Sequence, residues 1–132
     1  MSEVYKNRHA TFNLHVHLVF ITKYREKVLG ELHHKYFSEC AAEVCKSFDA
    51  ELKECNGEAD HIHMLIQYPP TVQLSKLVNN LKSVTSRRMR GDFIDLRAAY
   101  SKPVLWSRSY FASSCGGAPL DIIKQYIQNQ RG

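Results

Sequence analysis

The amino-acid sequence predicts an α+β fold: an antiparallel sheet of ferredoxin-like type with helices packed on it. Three observations carry that expectation. Stretches with apolar residues at helical spacing alternate with stretches rich in β-branched and aromatic residues. Their order is strand, helix, strand, strand, helix, strand, helix, which suits such a sheet. At 132 residues the chain fits one domain, 1–132, able to bury a core without disulfide or metal staples.

Thr11 to Thr22 reads as the first strand. Leu14, Val16, Leu18 and Phe20 make one apolar face, and His15, His17, Val19 and Ile21 the other, because side chains alternate along a strand. Lys23-Tyr24-Arg25-Glu26-Lys27 ends it in a basic, aromatic loop, suited either to phosphate contact through Lys23 and Arg25 or to a solvated turn. Gly30 breaks the chain, and a helix follows to about Phe48. Its Leu32, Phe37, Cys40, Ala41, Val44 and Phe48 recur at helical spacing toward a core.

Ala50 to Asn56 forms a short strand, Asn56-Gly57 offers turn chemistry, and the next strand runs from His61 toward Tyr68 until Pro69-Pro70 stops it. The intervening Glu58-Ala59-Asp60 could carry a bulge. Thr71 can cap a second helix running to about Arg90, with Leu74, Leu77, Val78 and Leu81 as its apolar stripe. The other face carries Lys76, Asn79, Lys82, Ser83, Ser86, Arg87, Arg88 and Arg90, with no acid. A solvated helix face usually mixes signs, so this one points to nucleic acid, with Lys82, Arg87 and Arg88 as contacts. Asp92 to Lys102 is a short helical or irregular connection, and Val104 to Ala112 a strand rich in aromatics. Pro119 suits the first turn of a last helix that runs to about Gln130 and packs through Leu120, Ile123 and Ile127.

Composition narrows the classes of function. The 18 Lys and Arg outnumber the 13 Asp and Glu, a formal charge of +5 that tilts the chain toward polyanions. No apolar run approaches the ~20 residues of a membrane span, and the first residues lead into no signal peptide. No membrane partner and a cytoplasmic location are expected. Cys40, Cys45, Cys55 and Cys115 show no C-x-x-C spacing, so free thiols are expected. A zinc site combining Cys55 with His61 and His63 is the alternative.

The chemistry gathers around Asp60-His61-Ile62-His63. On a strand His61 and His63 point the same way, about 7 Å apart, and can converge on one metal ion. Such pairs are also common as plain surface residues. The first and third strands are central neighbours in the expected sheet, so His17 could share that face. Tyr126 and Gln130 lie one helical turn apart and can approach one point. They fit equally an amphipathic helix with a half-buried Tyr and an exposed Gln.

Several separated stretches resemble one family. They are His17-Leu18-Val19-Phe20 through Lys23-Tyr24-Arg25, Asp60-His61-Ile62-His63, Leu105-Trp106, and Gly116-Gly117-Ala118-Pro119 through Lys124-Gln125-Tyr126-Ile127-Gln128-Asn129-Gln130. In this order they are similar to the single-tyrosine HUH transposases, or TnpA proteins, of small bacterial and archaeal insertion sequences. The resemblance implies the HUH fold, His61 and His63 as metal ligands, Gln130 as the third ligand, and Tyr126 as nucleophile. His17 matches a recurring family histidine, and His15 matches nothing.

The implied cofactor is Mg²⁺ or Mn²⁺. The implied partners are single-stranded DNA with a hairpin at the element's end and a second copy of the chain. The implied reaction cleaves and rejoins that DNA through a 5′-phosphotyrosine. Gly116-Gly117 would let the tyrosine helix swing, and with the family's dimers Tyr126 of one copy can complete the histidine site of the other, acting in cis or in trans. The sequence stops two residues past Gln130, where relatives commonly carry a longer tail, whose contacts are then expected to be absent or supplied otherwise. The rival readings are a non-catalytic nucleic-acid-binding domain derived from such a transposase and a metal-dependent nuclease in which water attacks.

Overall fold

Period-two alternation of apolar side chains builds a four-stranded antiparallel sheet whose two faces do different work. The structure, a computed structural model, describes residues 5–6, 11–114 and 127–129. Its elements are β1 (Tyr5–Lys6), β2 (Thr11–Phe12), β3 (His15–Thr22), α1 (Glu31–Ser47), β4 (Glu51–Glu58), β5 (His61–Gln67), α2 (Leu74–Asp92), α3 (Ile94–Ala99) and β6 (Trp106–Ser114). The sheet order is β4-β5-β3-β6, every pairing antiparallel. This is the ferredoxin-like arrangement read from the sequence, with β3 and β5 as central neighbours.

On one face Val16, Leu18 and Phe20 of β3 and Ile62, Met64 and Ile66 of β5 meet Phe37, Ala41 and Val44 of α1 and Leu77, Val78, Leu81 and Met89 of α2. Each of these Val, Leu, Ile, Phe and Met side chains contributes about 1.5–3 kcal/mol when fully buried. Phe20, Phe37 and Trp106 form an aromatic centre, with Trp106 5.6 Å from both phenyl rings. The indole N–H donates to Thr85 Oγ1 at 3.0 Å, so this buried donor is satisfied. The opposite face holds a smaller cluster of Val19, Ile21 and Ile127 with Phe111 against it.

Several local expectations need correction. The first strand is not continuous: Thr11–Phe12 pair with Tyr5–Lys6 in a separate two-stranded ribbon, and Leu14, between the two segments, is exposed. Leu32 is 71% exposed, because His33 takes the inward position. The His33 ring accepts from the Gly30 N–H and faces Asp95 at 3.0 Å. Asn56 and Gly57 lie inside β4, paired with His63 and Ile62, and the turn is Ala59–Asp60. The register shift falls between Leu52 and Glu54, not at Glu58–Asp60. Helix α2 begins at Leu74 with Gln73 before it, so Thr71 does not cap it. The last strand lies two residues further on than expected. Of the last helix, residues 127–129 are described and helical.

Candidate active site

The two-residue turn sets the site. Glu58 pairs with His61, so Asp60 stands beside the first histidine at the hairpin's end. With Ile62, Met64 and Ile66 committed to the helix-covered core, alternation sends His61, His63 and Leu65 to the other face. Across the ladder Ile21, Val19 and His17 of β3 pair with His61, His63 and Leu65, so His17 is on the histidine face and diagonal to His63. The rings of His61 and His63 lie nearly parallel, 22° apart, with centroids separated by 6.2 Å. A cleft of about 590 Å³ opens over them, lined also by His17, Glu54, Glu58, Asp60 and Gln128.

Asp60 organises the first ring. Its Oδ1 is 2.9 Å from His61 Nδ1, and its Oδ2 accepts from Arg25 Nε at 3.0 Å. Burial by itself would raise the Asp60 pKa. The hydrogen bonds and charges of His61 and Arg25 outweigh it and hold the carboxyl below its ordinary value. An ionised carboxylate only accepts, so Nδ1 is the His61 nitrogen that donates, and in the neutral ring Nε2 is the one with the lone pair a metal needs. Burial, then the nearby His61 and His17, push the His63 pKa down against the pull of Glu54 and Glu58. A neutral imidazole is the ligand-competent form. This donor pair therefore fits a divalent ion. Among the described residues no three or more His, Cys, Asp and Glu side chains group as a complete metal site, so a further ligand would be of another type or lie outside them.

Arg25 reaches Asp60 through two successive left-handed residues, Tyr24 at φ 59° and Arg25 at φ 58°. For residues with a side chain, such backbone costs on the order of 1–3 kcal/mol each and persists where the surroundings enforce it. Its Nη1 also donates to the Gln128 carbonyl at 2.9 Å. Ile127 packs against Val19 and Ile21, so the segment 127–129 sits on the histidine face. Tyr126, Gln130 and Gly116-Gly117 lie outside the described residues.

The other candidates separate. Lys82 is half-buried, its Nζ donating to the Ser107 and Arg108 carbonyls at 2.7 and 2.8 Å. Arg87 is exposed and lines a groove with Lys82 and Arg90. Arg88 turns toward α1, 3.4 Å from Glu43 and 3.8 Å from Cys40 Sγ, so the helix face is not uniformly open. Lys23 lies 5.2 Å from the Tyr24 ring centroid.

The zinc alternative fails geometrically. Cys55 pairs with Met64 and packs against the main core, on the other side of the sheet from His61 and His63. Its thiol is pushed by burial up to about 11, and Cys40, Cys45 and Cys55 are free. What the sequence did not show is the internal role of Arg25, read there as part of a basic loop suited to phosphate contact or to a solvated turn. Nothing in the spacing links it to Asp60, 35 residues away.

The sequence profile described as "Transposase IS200 like" matches residues 10–130. That span is nearly the whole chain, and the protein belongs to the IS200-like transposase family. It is 29% identical over 122 residues to the transposase for insertion sequence element IS200 of Salmonella typhimurium, covering 92% of this chain and 80% of that one. It is 26% identical over 129 residues to the ISDra2 transposase TnpA of Deinococcus radiodurans, covering 97% and 91%. A Deinococcus radiodurans crystal structure assigned as a transposase superposes with a TM-score of 0.85 at 27% identity, covering 97% of this chain and 98% of that one. A REP-associated tyrosine transposase, solved with a REP hairpin, shares the fold at a TM-score of 0.57 and 11% identity, covering 96% and 68%. No described helix is long and apolar enough to cross a membrane.

Proposed function

We propose that this transposase cleaves and rejoins single-stranded DNA at the ends of its insertion sequence, with Tyr126 as nucleophile. His61, His63 and Gln130 would hold Mg²⁺ or Mn²⁺. The observation that supports this most is the histidine pair itself: one ring with its Nδ1 against the Asp60 carboxylate, the other with its pKa pushed down by burial, both lining a cleft of about 590 Å³. The segment that follows Tyr126 in sequence packs on that same face through Ile127.

Held by these residues, a divalent ion would supply positive charge to polarise the scissile phosphate and offset the negative charge developing on it. The chemistry of the chain is then a transesterification. Tyr126 Oη loses its proton and bonds to phosphorus while the bond from phosphorus to the 3′ oxygen breaks. The departing oxygen takes a proton, leaving a free 3′-hydroxyl and a 5′-phosphotyrosine. One phosphodiester is exchanged for another, so a different 3′-hydroxyl can reverse the step without ATP. Imidazole and amide ligands suit Mn²⁺ as well as Mg²⁺.

The proposed partner is a DNA hairpin near the element's end, read by a homodimer. The hairpin in the REP transposase structure supports this choice by analogy of fold. The acid-poor groove of Lys82, Arg87 and Arg90 would follow the phosphate backbone.

Incubation with end-labelled single-stranded element DNA and Mg²⁺, followed by a denaturing gel, tests the reading. Wild type should yield a covalent protein–DNA adduct, and Tyr126→Phe should bind without forming one. Normal cleavage by Tyr126→Phe would pass the attack to water, and no cleavage by wild type with its own element's ends would leave a binding domain. Cleavage that persists in chelator would remove the metal from the scheme.

A further inference from the structure

We propose that Arg25 is a positioning residue, a latch that couples the orientation of the His61 imidazole to the docking of the segment 127–129. The contacts form an unbroken line. The Gln128 carbonyl accepts from Arg25 Nη1 at 2.9 Å, Arg25 Nε donates to Asp60 Oδ2 at 3.0 Å, and Asp60 Oδ1 accepts from His61 Nδ1 at 2.9 Å. The turn beneath is pinned too, because the Asp60 carbonyl accepts from the Thr22 N–H at 3.0 Å.

Guanidinium is suited to this task because its donors diverge in a rigid plane, so one side chain can hold a carboxylate and a carbonyl together. Two of its donor groups are therefore engaged within the protein, and the left-handed backbone at Tyr24 and Arg25 aims it there. The side chain lines the cleft as well, so the contacts to Asp60 and Gln128 fix where its guanidinium stands at the cleft wall. When the segment lifts, Nη1 loses its acceptor and the guanidinium is held at Asp60 alone. The carboxylate then gains freedom, and with it the ring that it orients. The imidazole is thus fully organised only while the segment next to the proposed nucleophile is docked. The link to metal binding rests on the reading of His61 as a ligand; the latch itself is measurable without metal or DNA.

The decisive variant is Arg25→Lys in the full chain, which keeps the positive charge but cannot span both acceptors. Imidazole ¹⁵N shifts in metal-free protein report the His61 tautomer, and amide hydrogen exchange reports the docking of residues 127–129. The expected result is a mixed His61 tautomer, roughly tenfold faster exchange in that segment, and Mn²⁺ affinity lowered by about 10–100-fold, as for other partners of metal-bound histidine. DNA affinity in chelator should stay within about twofold, since the charge is kept.

Ile127→Ala loosens the same segment from its apolar side and should also disturb the His61 tautomer, which keeps the test alive should Arg25→Lys fold poorly. Unchanged tautomer and exchange in Arg25→Lys overturn the proposal, as does a change at only one end of the line in either variant. Wild type that binds no Mn²⁺ would sink the metal reading, while the NMR and exchange results would still judge the latch.

Discussion

Adding one methyl group at Gly57 tests whether the hairpin beneath the histidines is as tightly built as it looks. A Cβ there would lie 2.3 Å from the His61 carbonyl oxygen, 2.7 Å from His34 Cε1 and 2.9 Å from Ile62 Cα. All three fall below the 3.0 Å that real Cβ contacts essentially never undercut. Two of the three atoms are backbone, and the third belongs to a ring whose Nε2 is 2.7 Å from the Glu58 carbonyl. None can yield cheaply. Gly57→Ala must therefore open the β4–β5 ladder, and overpacking of this kind typically costs about 1–3 kcal/mol. For a domain of this size that is a fall in Tm of about 4–12 °C. The natural control is Gly91→Ala, where a Cβ meets nothing within 4 Å near the end of α2. Alanine should stabilise that exposed turn by roughly 0.5–1 kcal/mol, raising Tm by about 2–4 °C. Calorimetry on the two variants and wild type decides the matter. A Gly57→Ala melt within about 1 °C of wild type, or the same sign for both variants, would refute the packing argument.

The remaining predictions concern the sites. Arg87→Ala should weaken binding to element DNA and reduce the salt-dependence slope by about one unit, while Arg88→Ala should change neither, because its guanidinium faces Glu43. Anisotropy titrations at several salt concentrations separate them, and equal losses would return Arg88 to the interface. The His63 pKa is lowered, so in chelator the stability this ring contributes is fully present above the ordinary imidazole value of about 6.5 and is lost as pH falls toward its folded value. Melting curves from pH 8 to 5 should therefore show a steeper acid-side decline for wild type than for His63→Ala; parallel curves would contradict it. Mixing inactive His63→Ala with inactive Tyr126→Phe should restore part of the cleavage if dimers share sites. Confirmed subunit exchange without recovery would place tyrosine and histidines of each active site in one chain.

The sheet and its sidedness were legible because they rest on local rules. Period-two alternation through Val16, Leu18 and Phe20 and through Ile62, Met64 and Ile66 assigns the core face, and the histidine face follows by parity. The misreadings arise where tertiary contacts overrule local chemistry. Asn56-Gly57 has the composition of a turn, yet Gly57 is in the strand because the chain turns at Ala59–Asp60 and pairs it with Ile62, and glycine is needed there because the His61 carbonyl passes too close for any side chain. Leu32 has helical spacing, yet His33 faces inward because Gly30 and Asp95 offer it partners. Both outcomes depend on groups brought near only by the fold.

Arg25 is the sharper case, because the same physical property supports both readings. A guanidinium in a basic loop is a natural phosphate ligand, and a guanidinium beside a buried carboxylate is a natural clamp; the second role becomes visible only when the fold supplies the neighbour. That neighbour, Asp60, is placed by the two-residue turn, and the turn is placed by the register that pairs Glu58 with His61. Parity along β5 thus does two jobs at once. It turns His61 and His63 away from the helices, and it leaves the residue before His61 at the hairpin's end, where a carboxylate can hold one imidazole nitrogen and an arginine at 2.9 and 3.0 Å. A one-residue slip would send both histidines into the apolar core and take Asp60 from the turn, so the burial of Ile62, Met64 and Ile66 stabilises the geometry of the site as directly as it stabilises the fold.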